Sequence, residues 1–144
     1  MNEKINTITK WIVKGDHDLG TAKITFLHIS KYKDTIAFHC QQAVEKYLKG
    51  LLVHLDLEFR PTHDLIYLLE LINQKNEITT DIFDKASSLE DFSVEIRYPD
   101  STIELSDEDI KDALSIAKFF RDFITKIIGL NIEYDEIIDN PIIN

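Results

Sequence analysis

A chain of 144 residues, 44% hydrophobic and 29% charged, is long enough for one domain with a real core, short for two, and balanced like a folded protein. No apolar run approaches the roughly 18 residues of a membrane span, and Cys40, the single cysteine, excludes an internal disulfide and a multi-cysteine zinc site. The net charge of −10 is uneven: residues 1–63 hold nine Lys/Arg against seven Asp/Glu and all five histidines, whereas residues 64–144 hold seven against nineteen. An acidic chain is a poor general binder of nucleic acid, because phosphate contacts need a positive field; the first half could still supply a local patch. The opening Met1-Asn2-Glu3-Lys4 lacks a secretory pattern, and with one free cysteine the expected compartment is the cytoplasm.

The first segment runs from about Lys4 to Ile29. Ile5, Ile8, Ile12, Leu19, Ala22, Phe26 and Ile29, with Gly15 in the same row, form one helical stripe. Lys31–Asp34 then connects, with Asp34 suited to an N-cap. The second segment, Thr35 to Leu57, has a broad apolar face of Ile36, Ala37, Cys40, Ala43, Val44, Tyr47, Leu48, Leu51, Leu52 and Leu55; His39, Gln42, Lys46 and Lys49 fall opposite. Phe59-Arg60-Pro61-Thr62 breaks it, and Thr62 can cap a third helix from His63 to Asn73 that buries Leu65, Leu68, Leu69 and Ile72.

A fourth helix spans about Thr80 to Ile96, with Phe83, Ala86, Leu89, Phe92 and Ile96 inward; Pro99 restricts Tyr98, so the helix stops near Arg97. Ser106-x-x-Asp109 reads as a capping box opening a last helix that Gly129 ends after Ile128. That helix is apolar nearly all round, which asks for contacts on two sides: a central position within one chain, or a core plus a second protomer. The expected organisation is a bundle over residues 1–129 and an acidic tail over 130–144, frayed or docked on a partner. The fold class is all-α, an antiparallel up-and-down bundle of about five helices.

Three pieces in order resemble the HEPN family of prokaryotic helical proteins. Phe38-His39-Cys40-Gln41-Gln42-Ala43-Val44-Glu45-Lys46-Tyr47-Leu48-Lys49 is similar to its Phe-x-x-Gln-Gln-Ala-x-Glu-Lys-x-Leu-Lys signature, followed by His63-Asp64-Leu65 and Arg97-Tyr98-Pro99-Asp100; Asp18-Leu19 behind Trp11 is also typical. The resemblance covers about residues 5–128. It implies a bundle, usually a homodimer, often paired with a small nucleotidyltransferase, and many relatives are ribonuclease toxins. Their motif is an Arg followed a few residues later by a His, the Arg stabilising phosphate charge and the His moving the ribose hydroxyl proton. This chain has no histidine after Arg97, so the residue that would handle the proton is missing.

If successive helices run up and down, His54, Arg60, His63, Arg97, Tyr98 and Asp100 gather at one end, with His63 a candidate base and Arg97 a candidate phosphate anchor. The alternative is that His63 caps its helix and Arg97 pairs with a loop acid. Gln41, Gln42, Glu45 and Lys46 could line a nucleotide-sized groove, with Lys46 and Lys49 meeting phosphate. They could instead form a polar network tying this helix to Asp18, with an Asp18–Lys46 ion pair. Asp16-His17-Asp18 carries metal-type side chains, but neighbours on a helix diverge too far to share one ion. No phosphate-binding glycine loop or nucleophile elbow is present, and no cofactor or metal is expected.

The favoured reading is a non-catalytic, dimeric module partnering a nucleotidyltransferase in a toxin–antitoxin-like pair, with possible sites for a nucleotide or RNA at Gln42, Lys46, Lys49, Arg97, Tyr98 and Asp100. The alternatives are a metal-independent endoribonuclease using Arg97 with His63, and a purely structural dimerisation module.

Overall fold

The computed structural model of the chain describes residues 2–96 and 104–133, without the side chains of residues 93–96. Its helices are α1 (Glu3–His28), α2 (Lys33–His54), α3 (Leu65–Ile72), α4 (Thr80–Ile96) and α5 (Asp107–Ile128). Among the described residues there is no strand, and no helix is long and apolar enough to cross a membrane.

Helices α1 and α2 form an antiparallel hairpin, the most extensive helix contact in the fold. The Asn2 side chain caps α1 by accepting from the Ile5 amide. Ile8, Ile12, Leu19 and Ala22 are buried along the expected stripe; Ile29 is exposed, because α1 ends at His28 and Ile29 leaves the helical path as its C-cap. Two glycines set the close approach. A Cβ on Gly15 would lie 2.5 Å from the Tyr47 ring, and one on Gly50 would lie 3.2 Å from Ile12.

Helix α2 begins at Lys33, so Asp34 stands in its first turn, where its charge suits the helix dipole, and is not the N-cap. Its buried face comprises the expected residues from Ile36 to Leu52, and each large aliphatic side chain there contributes about 1.5–3 kcal/mol by leaving water. The helix stops before the expected Leu57. Asp56 takes a left-handed conformation at φ 58°, which its short polar side chain tolerates, and Lys4 holds its carboxylate at 3.0 Å.

Residues 55–64 then run back along α2: the Gln41 amide donates to the His63 carbonyl at 3.5 Å. Lys75, beyond α3, reaches the Leu55 carbonyl at 2.8 Å, so α3 travels in the same direction as α2. This loop supplies the extra reversal within the bundle. Thr62 does not cap α3. Asp64 does, accepting from the Tyr67 amide, while the Thr62 hydroxyl accepts from the Asp64 amide.

In α4, Ile82, Ala86 and Leu89 are buried, with Phe83 and Phe92 packed partly against them; Ile96 lies outside the described side chains. The Glu90 carboxylate accepts from the Leu65 amide at 3.3 Å, joining α4 to the start of α3. Its half-buried position raises its pKa above 4.5, chiefly through lost hydration and further through Asp64 and Asp91. The folded state therefore holds the Glu90 proton more tightly than the unfolded state. This contribution to stability is full below about pH 4.5 and lost as pH rises through the raised value. Glu90→Gln is expected to flatten that part of the stability–pH curve and to leave the protein as stable or up to ~0.5 kcal/mol more stable at pH 7; chemical denaturation at pH 4.5 and pH 7 measures it.

Helix α5 opens with the expected capping box between Ser106 and Asp109 and closes at Gly129, whose φ of 77° favours glycine. Ile110, Ala113, Ala117, Phe120, Ile124 and Ile128 are buried, mainly against α2. Leu114, Ile116, Phe119, Phe123 and Ile127 are only partly covered by the described residues.

Candidate functional site

The α2 signature distributes its polar side chains over three neighbouring rows, and each row meets a different part of the chain. Asp18 of α1 sits between the first pair. Its carboxylate binds the Lys46 ammonium through one oxygen and His39 Nδ1 through the other at 2.8 Å. The expected Asp18–Lys46 ion pair is present, and His39 completes it. Gln42 lies between them in sequence, half-buried, and makes no side-chain hydrogen bond among the described residues, so it is not a member of this network.

The second row centres on Glu45, a buried carboxylate with Lys49 one turn ahead at 2.8 Å and His63 Nδ1 at 2.8 Å. Lys49 does not face solvent with Lys46, as the helical pattern suggested. It is buried, its ammonium 5.6 Å from the centre of the Trp11 ring and 6.0 Å from that of Phe59. The loop that returns along α2 brings Phe59 and His63 over it and converts an outer helix face into an inner one. The His63 side chain remains 80% exposed. With Nδ1 turned to Glu45, its Nε2 is the nitrogen left toward solvent.

The third row escaped the sequence reading. Tyr47 donates to Asp16 at 2.7 Å, and Arg121 of α5 forms a two-pronged pair with the same carboxylate, both bonds 2.8 Å. Asp16 and Arg121 are 3% and 1% exposed, and among the described residues no buried side-chain nitrogen or oxygen lacks a partner. Burial, then the neighbouring Asp16 carboxylate, pushes the Tyr47 phenol far above its usual pKa, so it stays a donor. A signal was available: Gly15-Asp16 and Arg121 fall in the apolar rows of α1 and α5 with opposite charges. Asp16, His17 and Asp18 indeed diverge, His17 to solvent. Among the described residues no cluster of three metal-type side chains occurs.

Cys40 is buried beside this network. Lost hydration first, then the Asp18 charge, raises its thiol pKa well above the normal range. A thiol reagent is expected to modify native protein at least ~1000-fold more slowly than denatured protein, at a rate set by opening of the fold; comparable rates would show that α2 is not packed as described.

His63 lies against the middle of α2, well back from His54 at its end, so these histidines do not gather at one end of the bundle. The Arg60 guanidinium stacks on the Tyr67 ring at 3.8 Å. Arg97, Tyr98 and Asp100 lie outside the described residues.

Five helices among the described residues, with α2 tied to its neighbours through buried carboxylates, define an all-helical module. The HEPN domain family model matches residues 8–128, and the chain belongs to that family. It is 28% identical over 138 residues to "Putative toxin MJ1304" of Methanocaldococcus jannaschii, covering 83% of this chain and 90% of that one. The crystal structure of ST0689, an archaeal HEPN homologue, superposes with a TM-score of 0.67 at 25% identity, covering 84% of this chain and 97% of the other.

Proposed function

We propose that this chain is the non-catalytic member of a toxin–antitoxin-like pair, a homodimeric HEPN module that partners a nucleotidyltransferase in the cytoplasm. One observation carries the non-catalytic part: the charged residues of the α2 signature are consumed inside the fold. Asp18 holds Lys46 and Glu45 holds Lys49, so a nucleotide or RNA phosphate at Gln42, Lys46 and Lys49 would have to displace a carboxylate already in contact. The likeness to a protein named as a toxin supports the paired-system part. The partly covered apolar band of α5, where Phe119 and Phe123 stack at 5.7 Å, supports a second protomer.

A second reading rests on a different observation. Glu45 orients an exposed imidazole through Nδ1, the arrangement a general base needs, and it keeps the endoribonuclease alternative with Arg97 as phosphate anchor. RNA incubation separates the two. The intact protein is expected to leave RNA uncut. Cleavage that disappears in His63→Ala and in Arg97→Ala would replace the first reading with the second. Sedimentation tests the dimer, with Phe123→Asp expected to shift it to monomer, and co-purification with a co-expressed small nucleotidyltransferase tests the partner.

A further inference from the structure

Between α4 and α5 lies a cavity of about 420 Å³, with Phe92, Ile116 and Phe119 in its lining beside the small Ser88 and Ser115. Lys85 of α4 is held by Asp81 at 3.1 Å, its ammonium 5.0 Å from the centre of the Phe119 ring. Asp112 of α5 belongs to the same lining, and among the described residues it has no ion-pair partner; neither does Lys126 in the last turn of α5. Phe123, one turn beyond the cavity, stacks on Phe119 with ring centres 5.7 Å apart.

These residues form a row on α5 that is arranged about Phe119. Asp112 and Ser115 stand seven and four residues before it; Phe123 and Lys126 stand four and seven residues after it. Steps of three and four keep all five on one helix face. Asp112, Ser115 and Lys126 are exposed, and Phe119 and Phe123 are half-buried. A two-fold axis at Phe119, setting α5 of a second copy in the opposite direction, brings acid to base and small to large. Asp112 then faces Lys126 at both ends, and Ser115 faces Phe123 on both sides of the axis. Parallel pairing would instead oppose Asp112 to Asp112 and Lys126 to Lys126, which like charges disfavour. The row spans about 21 Å of helix, and a crossing near 20° keeps facing residues in contact over that length.

Resting on the homodimeric reading above, we propose that a second copy of this chain completes the α4–α5 cavity. The two α5 helices pair antiparallel about Phe119. Phe123 of each copy enters the cavity of the other over Ser115, between Ile116, Phe119 and Phe92, and Lys126 of each meets Asp112 of the other. The charges, the side-chain sizes and the position of the cavity all select the same direction and register. Each copy gives one ring and receives one, so the contact closes on itself as a dimer and does not propagate.

Sedimentation equilibrium of the full chain tests it, at low ionic strength because salt screens exposed ion pairs. Asp112→Lys and Lys126→Asp are each expected to weaken self-association at least about tenfold, since two attractive contacts per dimer become repulsive. Mixed in equal amounts, the two variants are expected to associate within about threefold of the parent. In that pair the introduced lysine faces the introduced aspartate at one end, and native Lys126 faces native Asp112 at the other. Both positions are exposed, and circular dichroism checks that each variant is folded. A parent that dimerises together with single variants that associate equally well would overturn this face and leave the dimer standing. Single variants that weaken without recovery on mixing would overturn the antiparallel register. A parent that stays monomeric at every concentration would overturn the dimer itself, and this contact with it.

Discussion

Arg121→Met is expected to lower stability by about 3–5 kcal/mol, because it leaves the Asp16 carboxylate buried with, among the described residues, only the Tyr47 hydroxyl as partner. For a domain of this size that corresponds to a fall in Tm on the order of 10 °C or more, read by thermal circular dichroism. The cost comes from the charge left behind, and this gives the prediction a second arm. The triple change Asp16→Leu/Tyr47→Phe/Arg121→Met removes the charge and both its partners, and it is expected to recover much of the loss. A single substitution costing under ~1 kcal/mol would mean that Asp16 is hydrated and that α5 does not seal it.

Gly15→Ala and Gly50→Ala make the same chemical change on two sides of one helix pair and are expected to diverge. Alanine improves helix propensity by up to ~1 kcal/mol at either position. At Gly15 the new methyl would lie 2.5 Å and 2.8 Å from Tyr47 ring carbons, and the ring cannot swing away without giving up its bond to Asp16. Overpacking of this kind costs about 1–3 kcal/mol, so Gly15→Ala should be net destabilising by about 1–2 kcal/mol. At Gly50 the nearest atoms are the Ile12 methyl end at 3.2 Å and the Trp11 Cβ at 3.3 Å, and a shift of a few tenths of an ångström suffices. Gly50→Ala should stay within about 0.5 kcal/mol of the parent. Equal denaturation midpoints for the two variants would contradict the α1–α2 crossing described above.

Helix periods were legible because apolar residues repeat where a helix repeats, so the α1 and α2 stripes, the α4 span and the α5 capping box with its Gly129 stop all emerge from local rules. Helix ends were less legible where a tertiary contact or a rare backbone state decides them. Asp56 takes its left-handed turn against Lys4 from the far end of α1, and nothing near residue 56 announces it. The same holds for the site. The Asp18–Lys46 pair could be inferred because polar groups among apolar neighbours on α1 and α2 need partners, but Lys49 and His63 could not be placed until the loop was seen to return along α2.

By itself the sequence determined an all-helical domain, the resemblance to the family to which it belongs, and the absence of any histidine after Arg97. Those follow from periodicity, motif order and composition, which need no distances. Only the tertiary structure decided that Arg121 meets Asp16 across 105 residues of chain, that Lys49 is an interior cation, and that Glu45 aims an exposed His63. Pairings between distant segments depend on how three helices and a loop converge, and burial makes a carboxylate choose whichever cation that convergence brings within reach.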